Sequence, residues 1–271
     1  MQELLNHPAV QGGLAPFVAA LLVAELLQRL RLSGLAIIAG FAATVYLASD
    51  FSFEPLTASR KIVLLGLLSA GLSLPLMLLK ADWLRAVLAV AGGLAAVWVV
   101  QRILQQQEAA AVMLWGVGCM LYAGWLVFWM DGLGDNSMRA GSAGLALGLG
   151  TGGAALFGAS ALLGQFGLAL GAAAGAYLLI QMLTSSPLPC GRSFTLPLAL
   201  VAGTSGCLAV LTAQLPWYAL PVLAVIPVAA KIPLPAKQAL WLQTLLLSAV
   251  TLACAAGAVY LTWRVAGAPP L

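Results

Sequence analysis

The spacing of the charges constrains this chain more than anything else in it. Of 271 residues, eight are acidic and twelve basic, 7% in all, against 62% hydrophobic residues. Soluble domains carry about 25% charged residues, and a water-facing fold of this length needs far more polar surface than twenty charges supply. Disordered chains are charge-rich and polar, so disorder is excluded on the same ground. What remains is a polytopic integral membrane protein, and the charges then act as punctuation. A spanning helix needs roughly 20 mostly apolar residues. The charge-free stretches 4–24, 32–49, 62–79, 86–101, 109–130 and 238–263 each hold one span. The stretches 140–191 and 193–230 are 52 and 38 residues long and hold two spans each. The sequence therefore predicts an all-α bundle of about ten transmembrane helices in a single membrane domain, 1–271. The strict apolar–polar alternation of barrel strands is missing.

In the first long stretch the turn is expected at Gly164-Gln165-Phe166-Gly167, and in the second at Pro216-Trp217-Tyr218. The segment Met1-Gln2-Glu3-Leu4-Leu5-Asn6-His7 lacks the basic region of an export signal, so the first apolar segment is expected to be retained. Lys and Arg favour cytoplasmic loops. With ten spans, Arg29, Arg31, Lys80, Arg85, Arg139, Arg192, Lys231 and Lys237 fall on one side, and Arg60, Lys61, Arg102 and Arg264 on the other. Eight against four predicts a bacterial inner-membrane protein with both termini in the periplasm. The net charge of +4 includes no basic cluster longer than Arg29-Leu30-Arg31, so nucleic acid is not an expected partner; the lipid bilayer is.

Ten spans also divide into two fives, with expected halves 1–130 and 140–271. Gly34-Leu35-Ala36 and Gly167-Leu168-Ala169 lie 133 positions apart, Arg60 and Arg192 132 apart, and Trp83 and Trp217 134 apart. An odd-numbered repeat places its second copy upside down, the inverted plan of many secondary transporters, with the site near the midplane.

Few residues are left to carry chemistry. Glu25 is the one acid inside a predicted span and hence the candidate intramembrane acid; Arg29, four residues on, has the favourable spacing to pair with it. The single histidine, His7, precedes the first span, so axial histidine pairs for haem cannot be built. Cys119, Cys190, Cys207 and Cys254 are too scattered for a Cys-x-x-Cys motif. No metal site, cofactor or catalytic residue is expected, and Ser160 and Ser205 have no base among the spans.

Spans six and seven are the richest in glycine. Gly144, Gly148 and Gly152 recur every four residues, as do Gly167, Gly171 and Gly175. Small residues at that spacing let helices approach closely in lipid, within the chain, in self-association or against other membrane subunits. The alternative is that Gly150-Thr151-Gly152-Gly153 breaks its helix and turns backbone towards a substrate. Pro216, Pro221, Pro227, Pro233 and Pro235 crowd the ninth span, which should be kinked or short. A cavity is expected between spans six and nine, lined by Thr151, Gln181, Thr204, Ser205 and Gln214. Asp50, Glu54, Arg60 and Lys61, and Asp131, Asp135, Asn136 and Arg139, read as solvated turns. Trp125 and Trp129 read as an interfacial belt. Two functions fit this pattern. One is a small-solute transporter or permease-like protein with a midplane cavity; the other is a non-catalytic accessory or scaffold subunit of a membrane complex.

Overall fold

The computed structural model describes residues 7–49, 51, 53–79, 81–158, 160–234 and 239–267. Asp50, Lys80, Pro235, Lys237 and the first six residues, named above, lie outside them. Among the described residues there are ten α-helices and no strand. They are α1 (Ala15–Leu27), entered through a π-helical turn Val10–Leu14, α2 (Ala36–Ala48), α3 (Ala58–Leu76), α4 (Asp82–Leu104) and α5 (Ala109–Asp131). The second five are α6 (Ser137–Phe157), α7 (Ala161–Thr184), α8 (Arg192–Thr212), α9 (Ala219–Ala229) and α10 (Leu240–Ala266). The chain is a helical membrane bundle. Eight segments are long and apolar enough to span a bilayer, while Ser33–Ala48 and Ala219–Ala229 are shorter.

Contacts at the two ends show that the short helices still run from one end to the other. At one end Ser33 Oγ donates to the Pro189 carbonyl, Gly191 N–H to that of Gly134, Arg192 to those of Leu76 and Leu79, and Arg139 to that of Ala230. The connections after α1, α3, α5, α7 and α9 therefore gather at one end, hereafter the basic end. At the other, Gln11 reaches the Leu47 carbonyl and the Gln165 side chain, and Gln214 N–H donates to the Gly158 carbonyl. Chain direction alternates through all ten helices. α9 has only 11 residues, about 16 Å at the helical rise. Pro216 stands before it, Pro227 lies inside it, and Pro233 follows.

The helices begin and stop for local reasons. Thr57 and Asn136 accept from the backbone N–H groups of Arg60 and Arg139, capping α3 and α6. Ser185 at φ 50° ends α7, and Gly191 at φ 65° precedes α8, a backbone region where glycine meets no Cβ penalty.

α6, α7 and α8 hold the centre; 89% of the α8 window is buried, against 28% for α1 and α10. The inner seam is α6 against α7, and it is built from glycine. A Cβ on Gly148 would overlap the amide of Gly171, and one on Gly167 would overlap that of Gly152. A Cβ on Gly152 would lie 2.5 Å from the Leu168 nitrogen. The two backbones touch, so packing inside the chain is what the four-residue spacing serves. This corrects two expectations. α6 ends at Phe157 and α7 begins at Ala161, so Gly164–Gly167 is not the turn; its glycines sit inside α7 against α6. Nor does Gly150-Thr151-Gly152-Gly153 break α6, which is continuous through Phe157. Neighbouring seams follow the same rule: Gly93 of α4 lies against the Met120 carbonyl of α5, and Gly124 of α5 against the Ala89 carbonyl of α4. The halves are unequally packed. α1 packs on α7 and α6 on α10, and the pairs α2–α6 and α1–α5 have no contacts of similar extent.

The seam gives a direct test. Gly148→Ala should cost about 1–3 kcal/mol, as overpacking of a tight contact does. Gly71, in α3, has nothing within 4 Å of a built Cβ, and Gly71→Ala should gain about 0.5–1 kcal/mol from helix stiffness. Unfolding of the two variants in the same detergent should move in opposite directions.

Candidate functional site

Hydroxyl groups in this bundle follow a habit. Thr184, Thr204, Thr212, Thr244, Thr251 and Thr262 each donate to the carbonyl four residues back. Ser69 and Ser73 donate three residues back. This is the standard way to satisfy a hydroxyl in a membrane helix. Thr151 and Ser205 depart from it. Both are buried, at 1% and 0% exposure, and neither Oγ has a hydrogen-bond partner in the chain. An unmet buried hydroxyl costs about 1–3 kcal/mol.

Register relates the two hydroxyls. α6 and α8 both run from the basic end outwards. A Cβ on Gly144 of α6 would lie 2.6 Å from Leu198 and 3.2 Å from Phe194 of α8. Seven residues further on is the same helix face to within about 20°, and in the two helices that step leads to Thr151 and Ser205. Both hydroxyls thus lie one heptad beyond that contact on their own helices.

The remaining predicted residues distribute along the same three helices. Gln181, near the basic end of α7, is fully buried; its Oε1 accepts from Ser137 Oγ at 2.9 Å, and its Nε2 has no partner. Thr204 is buried and spends its hydroxyl on the Leu200 and Val201 carbonyls. Gln214 is exposed beyond the far end of α8. Gln181 near the basic end and Gln214 beyond the far end put the five along the length of the bundle. Between spans six and nine, where a cavity was expected, Gly150 is instead packed by Leu223 of α9 and Ala255 of α10, 2.7 and 3.0 Å from a built Cβ.

Three cavities lie elsewhere, and none is lined by those five residues. One of about 570 Å³ lies between α5, α8 and α9, with Trp115, Tyr122, Trp125 and Trp217 in its wall. Another, about 530 Å³, runs between α6 and α10 near Tyr260 and Trp263. The third, about 370 Å³, is more polar and sits at the far end between Ser49, Thr57, Arg60 and Phe166. Tyr122, in the wall of the first cavity, has a buried hydroxyl with no partner, which no motif in the sequence signals.

Charged residues behave differently from their sequence reading. Glu25 is exposed on α1, two residues before the end of that helix, and accepts from Gln28 Nε2 at 3.1 Å rather than pairing with Arg29. The helix tightens into a 3₁₀ turn at Gln28–Leu30, and that carries Arg29 off the i+4 face. Asp131 does not stand in a solvated turn. It closes α5 with a 2.9 Å ion pair to Arg192 Nε, the two side chains 10% and 16% exposed. Lys61 is buried in the first turn of α3, donating to the Trp98 carbonyl at 2.8 Å. Among the described residues no group of three His, Cys, Asp or Glu could hold a metal ion.

The cysteines are free thiols. Cys207 of α8 donates to the Cys119 carbonyl of α5 at 3.6 Å, a proximity invisible in residues 88 positions apart. Cys190, between α7 and α8, is buried, and that burial pushes its thiol well above the usual range, with the Asp135 carboxylate adding to the rise and the Tyr177 hydroxyl opposing it. Reaction requires the thiolate. At neutral pH Cys190 should therefore resist a water-soluble maleimide in the folded protein and react only on unfolding, which mass spectrometry of the labelled peptides checks.

No protein-family model, no curated protein and no solved structure matches this chain.

Proposed function

We propose that the protein is a small-solute carrier in an occluded state, its solute path running along the α6–α7–α8 core. One observation supports this above all. The hydroxyls of Thr151 and Ser205 are buried and unbonded, in a chain where six other threonines bond back to their own helix. Buried polar groups are nearly always paired, and an exception calls for a reason. A path that opens to admit a polar solute supplies one, since each hydroxyl then finds its partner in water or in the solute. Gln181 Nε2 extends the polar track towards the basic end, and Gln214 marks the other mouth. α8, the most buried helix, is the fixed wall, and the α6–α7 pair, joined backbone to backbone, moves as one body against it.

On this reading the basic end faces the cytoplasm of a bacterial cell and both termini face the periplasm. Eight basic residues against four in the sequence, and six against four among the described residues, support that orientation. A scaffold role resting on the glycine faces has less support, because those faces are occupied by each other within the chain.

Accessibility tests the carrier directly and needs no substrate. In a chain whose own four cysteines are replaced, Thr151→Cys and Ser205→Cys should react with a small charged thiol reagent in membranes at rates far above Leu147→Cys, a fully buried neighbour on α6. Equal, negligible labelling of all three would sink the reading. Thr151→Val should leave the unfolding midpoint unchanged or raise it, as removal of an unpaired buried hydroxyl does.

A further inference from the structure

At the basic end, two cations share one aromatic surface and a third lies beside them. Arg85, in the first turn of α4, lies with its guanidinium carbon 3.7 Å from the centroid of the Phe128 ring and 5.8 Å from that of Trp129, and its Nε donates to the Phe128 carbonyl at 2.6 Å. Lys231, just past α9, holds Nζ 4.4 Å from the Trp129 centroid. Arg139 of α6 donates to the Ala230 carbonyl at 2.6 Å, beside Lys231. Among the described side chains the one ion pair, Asp131 with Arg192, involves neither the lysine nor these arginines. Lys231 is pushed below the ordinary lysine value, first by burial and then by Arg85 and Arg139, which lie near it. Trp129 adds a fourth donor, for its indole N–H is buried without a partner.

A concentration of positive charge with an unspent donor calls for an anion. Its location says which kind. α5 carries Trp129 one turn beyond Trp125, the two rings 5.4 Å apart. Trp125 is 45% exposed and forms the near wall of the cleft of about 570 Å³ between α5, α8 and α9. The cleft runs along α5 from Trp125 to Leu114, about 16 Å by the helical rise, and its wall is overwhelmingly apolar. Charge at the headgroup level and an apolar slot leading inwards from it match an amphiphile, not a free ion.

We infer that this end of the protein holds one anionic phospholipid. Its phosphate lies against Arg85, Arg139, Lys231 and the Trp129 N–H, and one acyl chain passes over Trp125 into the α5–α8–α9 cleft. Basic pockets between spanning helices recognise such headgroups through the same charge complementarity. The proposal stands apart from the solute path, which lies on the other side of α8.

The test uses the full chain purified in neutral detergent and stripped of lipid. Phosphatidylglycerol should raise the unfolding midpoint, while phosphatidylcholine and inorganic phosphate at the same concentration should not. Lys231, whose named contact is a ring face, is the variant least tied to the fold. Lys231→Gln should weaken phosphatidylglycerol binding about fivefold, as the loss of one basic residue near the surface implies. Gly118 lines the cleft and has nothing within 4 Å of a built Cβ, so Gly118→Leu fills the slot without a clash. It should abolish the gain from long-chain phosphatidylglycerol and leave that from a short-chain form. Equal stabilisation by phosphatidylcholine, or an unaltered Lys231→Gln, overturns the anionic headgroup. An equal effect of inorganic phosphate overturns the lipid, and an indifferent Gly118→Leu overturns the placement of the chain.

Discussion

The rest of the molecule depends on the contact of two backbones, α6 on α7. Lipid tails are as apolar as leucine, so no hydrophobic force drives helices together inside a bilayer; close van der Waals packing has to do it. Glycines at Gly148, Gly152, Gly167 and Gly171 remove the side chains that would hold the helices apart. The resulting pair is a slab, and the other helices are placed by what its faces offer. α10 and α9 meet Gly150, while α8 meets Gly144. α1 and α2 pack on the outer side of α7, with Gly40 against Ala173.

A second constraint closes the ends. A helix leaves its last four carbonyls without intrahelical donors, and at the basic end of this bundle arginines supply them. Arg192 holds the carbonyls of Leu76 and Leu79, Arg85 that of Phe128, and Arg139 that of Ala230. Each arginine arises on one helix and caps another, so positive charge meets the negative end of a helix dipole and fixes the order of the helices at the same time. A scarce charge in such a chain serves structure as well as topology. The cluster also concentrates cations at one surface, the feature that an anionic ligand would use.

Much of this was legible in the charges alone. The stretches between them contain the ten helices, and the prolines around residues 216–233 mark the one that is only 11 residues long. Four-residue glycine spacing points to close packing in spans six and seven, and the α6–α7 seam is where that packing occurs. The turn between those spans was misplaced because glycine has two uses, as a turn former and as a contact residue. Gly164 and Gly167 take the second, while Gly158 takes the first. Glu25 and Arg29 have the spacing of a pair, but i+4 is a property of continued α-helix, and a 3₁₀ turn intervenes.

The sequence by itself determined the solvent, the helical class, the number of elements and their alternating direction, since each follows from the length of apolar stretch that a bilayer demands. It also named Thr151, Gln181 and Ser205 as polar residues inside spans. Only the tertiary structure decided that the Thr151 and Ser205 hydroxyls and Gln181 Nε2 stay unpaired, that a cavity opens among tryptophans, and that two distant cations share one aromatic face. The reason is physical. Span length is a local quantity, fixed by transfer of each segment into hydrocarbon, whereas a hydrogen bond or a shared charge requires two helices to be set at one depth and one rotation. That setting comes from packing between segments up to about a hundred residues apart in the chain, such as the Arg139 contact to Ala230, and no single stretch of sequence contains it.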